Sequence, residues 1–294
     1  MDLVMKTFNS KKVRLGALFV LLGSIVTTQA NSLVENGSVL MVRGVVTATS
    51  SEAISRTLVK GASVFEGDVI STAPKSFSVI RMMDQTKLTL RPDTTIAIGV
   101  FSLEEEKEEA CVNLIKGGLR TVTGLIGKRK PEAFQLDTPV ASIGIRGTDF
   151  ITRICEGELC QLDQNEFIEE QLGAEDSDKV AELINEALPE GAYAHCVTGA
   201  ITMTQCAGQQ DTFVLGKCRI RQTTDCLNVE LNADQAGYMG VSFEQPQAGK
   251  GVLPEVPTFI DSDPYFKLSD VDAEELKLIE FFSKDGSADQ QCTF

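Results

Sequence analysis

The chain has 294 residues, of which 42 are Asp or Glu and 27 are Lys or Arg, so its formal net charge at pH 7 is -15. This acidic balance argues against nucleic-acid binding, because a phosphate-binding surface needs clustered basic residues. With 43% hydrophobic residues the chain can form a substantial core, so general disorder is not expected.

The first 30 residues have the pattern of a secretory signal peptide. Four basic residues precede an apolar run from Leu15 to about Val26, and small residues lead to Ala30. The run is shorter than the roughly 20 apolar residues that span a bilayer. We therefore predict Sec-type cleavage after Ala30, a mature chain that does not span the membrane, and a periplasmic or secreted location.

From Gly37 onward, short apolar segments alternate with Gly, Asp and Pro at turn positions. Residues 77–82 are one example, because their side chains alternate with a period of two before the turn at Asp84. Turn signals about every eight to twelve residues favour an all-β fold of stacked short strands, as a sandwich, barrel or solenoid. The acidic run 104–109 is predicted to be an exposed hairpin tip.

Two segments depart from this strand pattern. Apolar residues recur at helical spacing within about 161–190, which predicts a small helical insertion that ends at Pro189. Residues 246–268 are rich in Pro and Gly and are predicted to be a linker. Residues 269–294 are predicted to be a tail with a helix from Val271 to Phe282. The sequence thus divides into residues 1–30 (signal peptide), 31–245 (β domain), 246–268 and 269–294.

All eight cysteines follow Ala30, and their even number is typical of a disulfide-bonded extracytoplasmic protein. Eight cysteines allow 105 connectivities. We expect the local pairs Cys155–Cys160 and Cys218–Cys226, because short polar segments separate them. A metal site is not expected, because the sequence has no Cys-x-x-Cys pair and its one histidine, His195, adjoins Cys196. The disulfide candidates are Cys111, Cys155, Cys160, Cys196, Cys206, Cys218, Cys226 and Cys292.

No catalytic motif is visible in the sequence. It has no phosphate-binding glycine loop, dinucleotide fingerprint or His-Glu-x-x-His motif, so no cofactor is expected. His195 is predicted to be a surface or strand residue. A carboxylate-based hydrolase and an envelope polysaccharide-binding protein both stay open as alternatives, although the absence of Trp removes the usual sugar-stacking side chain.

The most distinctive stretch is residues 138–150, which read Thr-Pro-Val-Ala-Ser-Ile-Gly-Ile-Arg-Gly-Thr-Asp-Phe. It closely resembles the signature of FecR-domain proteins. Two upstream segments are similar to the same family, namely Gly-Asp-Val-Ile-Ser-Thr at 67–72 and Asp-Gln-Thr-Lys-Leu-Thr-Leu at 84–90. The resemblance covers about Asn36 to Phe150, and it selects as candidate site residues Thr138, Pro139, Gly144, Arg146, Gly147, Thr148, Asp149 and Phe150.

Within this motif, Arg146 and Asp149 flank a glycine at 147 that favours an unusual backbone conformation. We expect the guanidinium and the carboxylate to brace the turn. The alternative is that the turn contacts a partner.

The resemblance implies an all-β extracytoplasmic module for protein interaction or envelope signalling. Namesake members carry a cytoplasmic anti-sigma segment, a membrane span and a periplasmic domain. Only about 14 residues precede the apolar run here, so the resemblance extends to the extracytoplasmic domain alone. The expected function is that of a non-enzymatic module that binds an unidentified envelope protein.

Overall fold

Short strands make up most of the structure, as the two-residue alternation of apolar side chains predicts. The computed structural model describes residues 35–104, 106–156, 189–208, 214–221, 224–241, 251–261, 263 and 265–266. The chain divides into two compact units, residues 1–32 and residues 33–294, and every described residue belongs to the second. The predicted signal peptide, the insertion helix and the tail helix lie outside the described residues.

The described elements are β1 (Glu35–Arg43), β2 (Val46–Thr49), β3 (Ser55–Thr57), β4 (Ser63–Phe65), β5 (Val69–Thr72), β6 (Phe77–Met82), β7 (Lys87–Leu90), β8 (Thr95–Ser102), β9 (Glu109–Val122), α1 (Leu125–Arg129), a 3-10 turn (Pro131–Ala133), β10 (Phe134–Asp137), β11 (Ser142–Cys155), β12 (Gly191–Cys206), β13 (Cys226–Asn232), β14 (Gln235–Gly240), β15 (Gly251–Val252) and α2 (Thr258–Asp261).

These strands belong to one mixed sheet that does not close on itself, which confirms the all-β prediction. Its main path is β15-β14-β12-β11-β10-β9-β7-β6-β1-β4. Among the described strands only β9 and β10 pair in parallel. Strand β8 joins β9 through a hairpin whose connection holds most of the acidic run, and Glu109 is the first residue of β9. The described residues 104, 106, 107 and 109 are exposed, as predicted, whereas Glu108 is half-buried and pairs with Arg129 at 2.8 Å.

Strand β11 changes neighbours halfway along its length. Its first residues, from Ser142 to Gly144, pair with β10, whereas its later residues, from Asp149 to Ile154, pair with β9. A bulge between Arg146 and Asp149 separates the two halves. The family-like motif therefore lies at the point where one strand passes from one partner to another.

Two hydrophobic clusters lie on the sheet. The larger cluster includes Ile70, Leu88, Phe134 and Phe150, and it spans most of the strands. The smaller cluster forms where the C-terminal part of the described chain covers the sheet, and it contains Ile151, Cys155, Tyr193, Tyr238, Phe259, Ile260 and Phe266.

The segment predicted to be a linker differs from that expectation. Within 246–268, residues 251–252 add strand β15 to the edge of β14, and residues 258–261 form α2. Phe259, Ile260, Asp263 and Phe266 are buried. The Pro and Gly content indicated an extended chain, but the three apolar side chains pack on the sheet and Asp263 pairs with Arg91 and Arg153.

Two disulfides connect segments that are distant in sequence. Cys111 bonds to Cys218 across 107 residues, and Cys206 bonds to Cys226 across 20 residues. The expected Cys218–Cys226 pair is therefore wrong. Cys226 lies opposite Cys206 in the pairing of β12 with β13, and Cys218 lies beside Cys111 of β9. Cys155 is disulfide-bonded, whereas the other half of its expected pair, Cys160, lies outside the described residues. Such bonds indicate a non-cytoplasmic domain.

Candidate functional site

The first four residues of the motif form the turn that joins β10 to β11. The amide of Thr138 donates to the carbonyl of Ala141 at 2.8 Å. The hydroxyl oxygen of Thr138 accepts from the amides of Val140 and Ala141 at 3.2 and 2.9 Å. Thr138 is fully buried, and Pro139 has no amide hydrogen that would need a partner. These residues shape the backbone of the turn.

The carboxylate of Asp149 pairs with Arg120. The Arg120 guanidinium donates from Nε and Nη2 to the two carboxylate oxygens at 2.9 and 2.6 Å. Arg120 on β9 lies opposite Ile151, two residues from Asp149 on β11, so the two side chains are diagonal neighbours on one face of the sheet. The predicted Arg146–Asp149 brace is therefore wrong, and the Arg146 side chain is exposed to solvent.

The remaining motif residues support the bulge in β11. Gly147 has φ +59°, in the left-handed region that the sequence led us to expect, and it faces Gly199 of β12, which has φ +84°. Thr148 and Phe150 are buried. The Phe150 ring packs edge-on against Phe134, with ring centroids 6.4 Å apart.

Arg146 and Gly144 open onto a groove of about 650 Å³ on the sheet surface. We call it the motif groove. Its floor comes from alternate residues of β11 and β12, which therefore share one face. Small polar side chains dominate the floor. The lining residues are Pro131, Glu132, Gln135, Ser142, Gly144, Ile145, Arg146, Thr202, Thr204, Cys206, Ile220, Arg221, Cys226 and Asn228.

Ile220 forms one wall of the motif groove and is 91% exposed. The segment that carries it is held on both sides. The Arg219 amide donates to Asp137 at 2.7 Å, and the Arg219 guanidinium donates to the Thr138 carbonyl at 2.6 Å. Arg221 Nε donates to Gln135 Oε1 at 3.1 Å. The Cys111–Cys218 disulfide anchors the same segment to β9. The solvent-exposed Ile220 side chain therefore lies on a backbone segment that is fixed by several contacts.

A second cavity of about 820 Å³ adjoins the motif groove and shares Glu132, Gln135, Ile220 and Arg221 with it. Its other lining residues include both acidic and basic side chains, among them Glu108 and Lys130. Ile220 therefore lies between the motif groove and this second cavity.

His195 and Cys196 are neighbours in sequence but lie on opposite faces of β12, because successive strand residues alternate. Cys196 belongs to the larger hydrophobic cluster. It is the free cysteine among the described residues, and burial raises its pKa to about 11. Burial lowers the pKa of His195, against the opposing effect of Asp261, Asp234 and Asp149. The two side chains do not form a nucleophile–base pair.

Across the described ranges, no group of three His, Cys, Asp or Glu residues is placed to hold a metal ion. None of the helices in the same ranges has the length and apolarity that a bilayer crossing requires.

Sequence reasoning identified Gly144 and Arg146 of the motif groove but missed its other wall. Thr202 and Thr204 alternate with buried Ile201 and Met203 along β12, a pattern that indicates an outward polar face. Nothing in the sequence around Ile220 indicates that it is exposed beside Arg146, because tertiary contacts bring them to one groove.

Comparisons with known proteins agree with the motif. Residues 68–160 match the family model described as FecR protein. No curated protein is significantly similar to the chain. Two crystal structures of a candidate anti-sigma factor from Parabacteroides distasonis ATCC 8503, at 2.50 and 1.65 Å resolution, are each 10% identical with a TM-score of 0.37. Each match covers 63% of this chain and 57% of that protein.

The matched span 68–160 contains the whole stretch from Thr138 to Phe150, together with β9, β10 and β11. Over residues 68–160 the chain therefore matches the FecR domain that its motif resembles.

Proposed function

We propose that this chain is a non-enzymatic, periplasmic or secreted signalling module that binds an envelope protein through the motif groove. The observation that carries the proposal is the exposed pair Arg146 and Ile220 on two walls of one groove. Arg120 takes the carboxylate of Asp149, so Arg146 is not needed to brace the bulge. Its charge is available to a ligand.

The composition of the groove favours a protein as the ligand. Arginine is enriched at protein–protein interfaces and at their hot spots, and an exposed apolar side chain on a rigid support gives a partner apolar area to bury. The floor residues Ser142, Thr202 and Thr204 offer hydroxyls that can bind main-chain groups of a partner. No aromatic side chain lines the described part of the groove, so the stacking surface that sugars usually need is not part of it.

The proposed location is supported by the sequence and by the disulfides. The first 30 residues have the charge and apolar pattern of an export signal. The Cys111–Cys218 bond requires an oxidising compartment. It also anchors the segment that carries Ile220. The oxidising compartment in which this bond forms is therefore also needed to hold the proposed binding site together.

Site-specific photo-crosslinking in the periplasm tests the proposal. A photo-reactive residue is placed at Ile220 and, as a matched control, at Ile54, which is 62% exposed and lines neither cavity. We expect a discrete protein adduct at position 220 that is lost with Arg146→Ala and is absent at position 54. An adduct that survives Arg146→Ala, equal adducts at both positions, or labelling of cell-wall polysaccharide alone would overturn the proposal.

A further inference from the structure

The C-terminal part of the described chain packs against a second surface of the sheet, through contacts of the kind that a bound peptide makes. We call the described residues 251–261, 263, 265 and 266 the strap. Three arginines of the sheet, all with side chains at most 10% exposed, bind it. Arg91 Nε and Arg153 Nη1 donate to one carboxylate oxygen of Asp263 at 2.8 and 3.1 Å. Arg120 Nη1 donates to the carbonyl of Phe266 at 2.5 Å.

A glycine in β9 leaves space for two of these arginine side chains. Gly118 of β9 lies beneath them, and a Cβ at this position would overlap the side chains of Arg153 and Arg91. Arg153 also stacks on the ring of Phe259, with its guanidinium carbon 5.4 Å from the ring centroid. Arg120 also pairs with Asp149, so Arg91 and Arg153 supply the positive charge that Asp263 meets. In a chain whose net charge is -15, this pair of arginines complements an acidic segment.

Main-chain pairing and aromatic anchors complete the contact. Val252 and Gly251 pair with Gly237 and Tyr238 of β14, and the amide of Leu253 donates to the Ala236 carbonyl at 2.8 Å. The Phe259 ring packs edge-on against Tyr193, with centroids 5.3 Å apart. Phe266 is 2% exposed.

These three kinds of contact are the ones by which separate peptides bind proteins: strand addition to a sheet edge, anchoring side chains, and charge recognition. The strap also lies outside the span that matches the FecR model, which ends at residue 160. We propose that the surface formed by Arg91, Arg120, Arg153, Tyr193 and the edge of β14 is a peptide-docking site. Its occupant in trans is an acidic partner segment with aromatic residues four before and three after an aspartate, the spacing of Phe259, Asp263 and Phe266.

In this arrangement the strap is a ligand in cis, and a partner segment binds by replacing it. A tethered ligand has a high effective concentration, so it excludes a free peptide of equal intrinsic affinity. Weakening the strap within the chain therefore opens the site to a free peptide, without any change in the arginines. This surface and the motif groove share no lining residue, so the two proposals fail or succeed separately.

The test uses a fluorescent peptide with the sequence of residues 251–266 and the full-length chain. We expect the peptide to bind the Asp263→Asn chain at least about tenfold more tightly than the wild-type chain, by fluorescence anisotropy. A peptide that itself carries Asp263→Asn should bind at least about tenfold more weakly than the unmodified peptide. Adding Arg153→Ala to the Asp263→Asn chain should abolish binding of the unmodified peptide.

The matched chain control is Asp261→Asn, which alters an exposed carboxylate in the same strap and should leave the site closed. A folded Asp263→Asn chain that binds no peptide, or equal binding to both chains, would overturn the proposal. If Asp263→Asn prevents folding, the full-length chain with a protease site in place of residues 245–249 is cleaved while folded. Failure of the cleaved strap to exchange with labelled peptide then overturns it.

Discussion

Arg120 on β9 and Asp149 on β11 form a two-pronged ion pair that joins the strands just after the bulge at Gly147. Both side chains are at most 15% exposed. Removing one partner of such a pair leaves a charge in a poorly solvated site. We expect Asp149→Ala to lower the free energy of unfolding by about 3 kcal/mol, measured by urea denaturation.

Arg146→Ala is the matched variant for that experiment. Because the Arg146 side chain is exposed, its loss should change the free energy of unfolding by no more than about 0.5 kcal/mol. A destabilisation by Arg146→Ala as large as that by Asp149→Ala would restore the bracing role to Arg146.

Gly199 makes the close approach of β12 to the bulge in β11 possible. A Cβ on Gly199 would overlap the Gly147 carbonyl and lie 2.8 Å from Thr148 Cγ2, whereas a Cβ on Gly147 meets nothing within 4 Å. Both have left-handed backbones, which cost a substituted residue about 1–2 kcal/mol. We expect Gly199→Ala to be more destabilising than Gly147→Ala by at least about 1 kcal/mol. Thermal unfolding measures both variants.

Gly144→Ala serves as the control in that series. Gly144 does not have a positive φ, and its Cβ would meet nothing within 4 Å. Its substitution should be close to neutral. Equal melting temperatures for Gly199→Ala and Gly144→Ala would contradict the close approach of the two strands.

The two disulfides whose cysteines are both among the described residues close loops of very different length. The bond between Cys111 and Cys218 spans 107 residues, and the bond between Cys206 and Cys226 spans 20. Loop-closure entropy then predicts that replacing the first pair by alanine costs about 1.5 kcal/mol more than replacing the second. Chemical denaturation of the two double variants measures the difference. Non-reducing peptide mapping checks the pairing, and a Cys218–Cys226 peptide would contradict it.

His195 makes stability depend on pH. Burial lowers the pKa of His195 below its ordinary value of 6.5. Between that lower value and 6.5 the unfolded chain binds the proton and the folded chain does not, so stability falls as the pH drops below 6.5. Above pH 6.5 the group has no effect, because it is neutral in both states.

The comparison is between the wild-type chain and His195→Gln at pH 7.5, 6.5 and 5.5. His195 is the one histidine of the chain, so the variant should lose less melting temperature over this range. Parallel pH profiles for the two chains would show that His195 titrates alike in the folded and unfolded states.

Local patterns in the sequence were sufficient to predict the strands and the backbone of the motif. Alternating side chains between turn residues predicted segments such as residues 77–82, which form β6. The Thr-Pro-Val-Ala stretch determines its own turn, because the Thr138 hydroxyl bonds to amides only two and three residues away. The left-handed backbone at Gly147 likewise depends on a single residue type.

Partners distant in the chain were not predictable in this way. Asp149 has Arg146 three residues away, yet it pairs with Arg120 because β9 lies beside the second half of β11. Cys218 has Cys226 nearby, yet it bonds to Cys111 across the sheet. Composition predicted a linker at 246–268, but burial of Phe259, Asp263 and Phe266 ties that segment to the sheet.

The sequence by itself determined the strand-rich fold, the family-like motif and the acidic balance of the chain, because these follow from residue type and short spacing. Only the tertiary structure decided which charge stays exposed beside Ile220 and which arginines bind the strap. Ion pairs, disulfides and grooves depend on which strands become neighbours, and that is settled by the packing of the whole sheet.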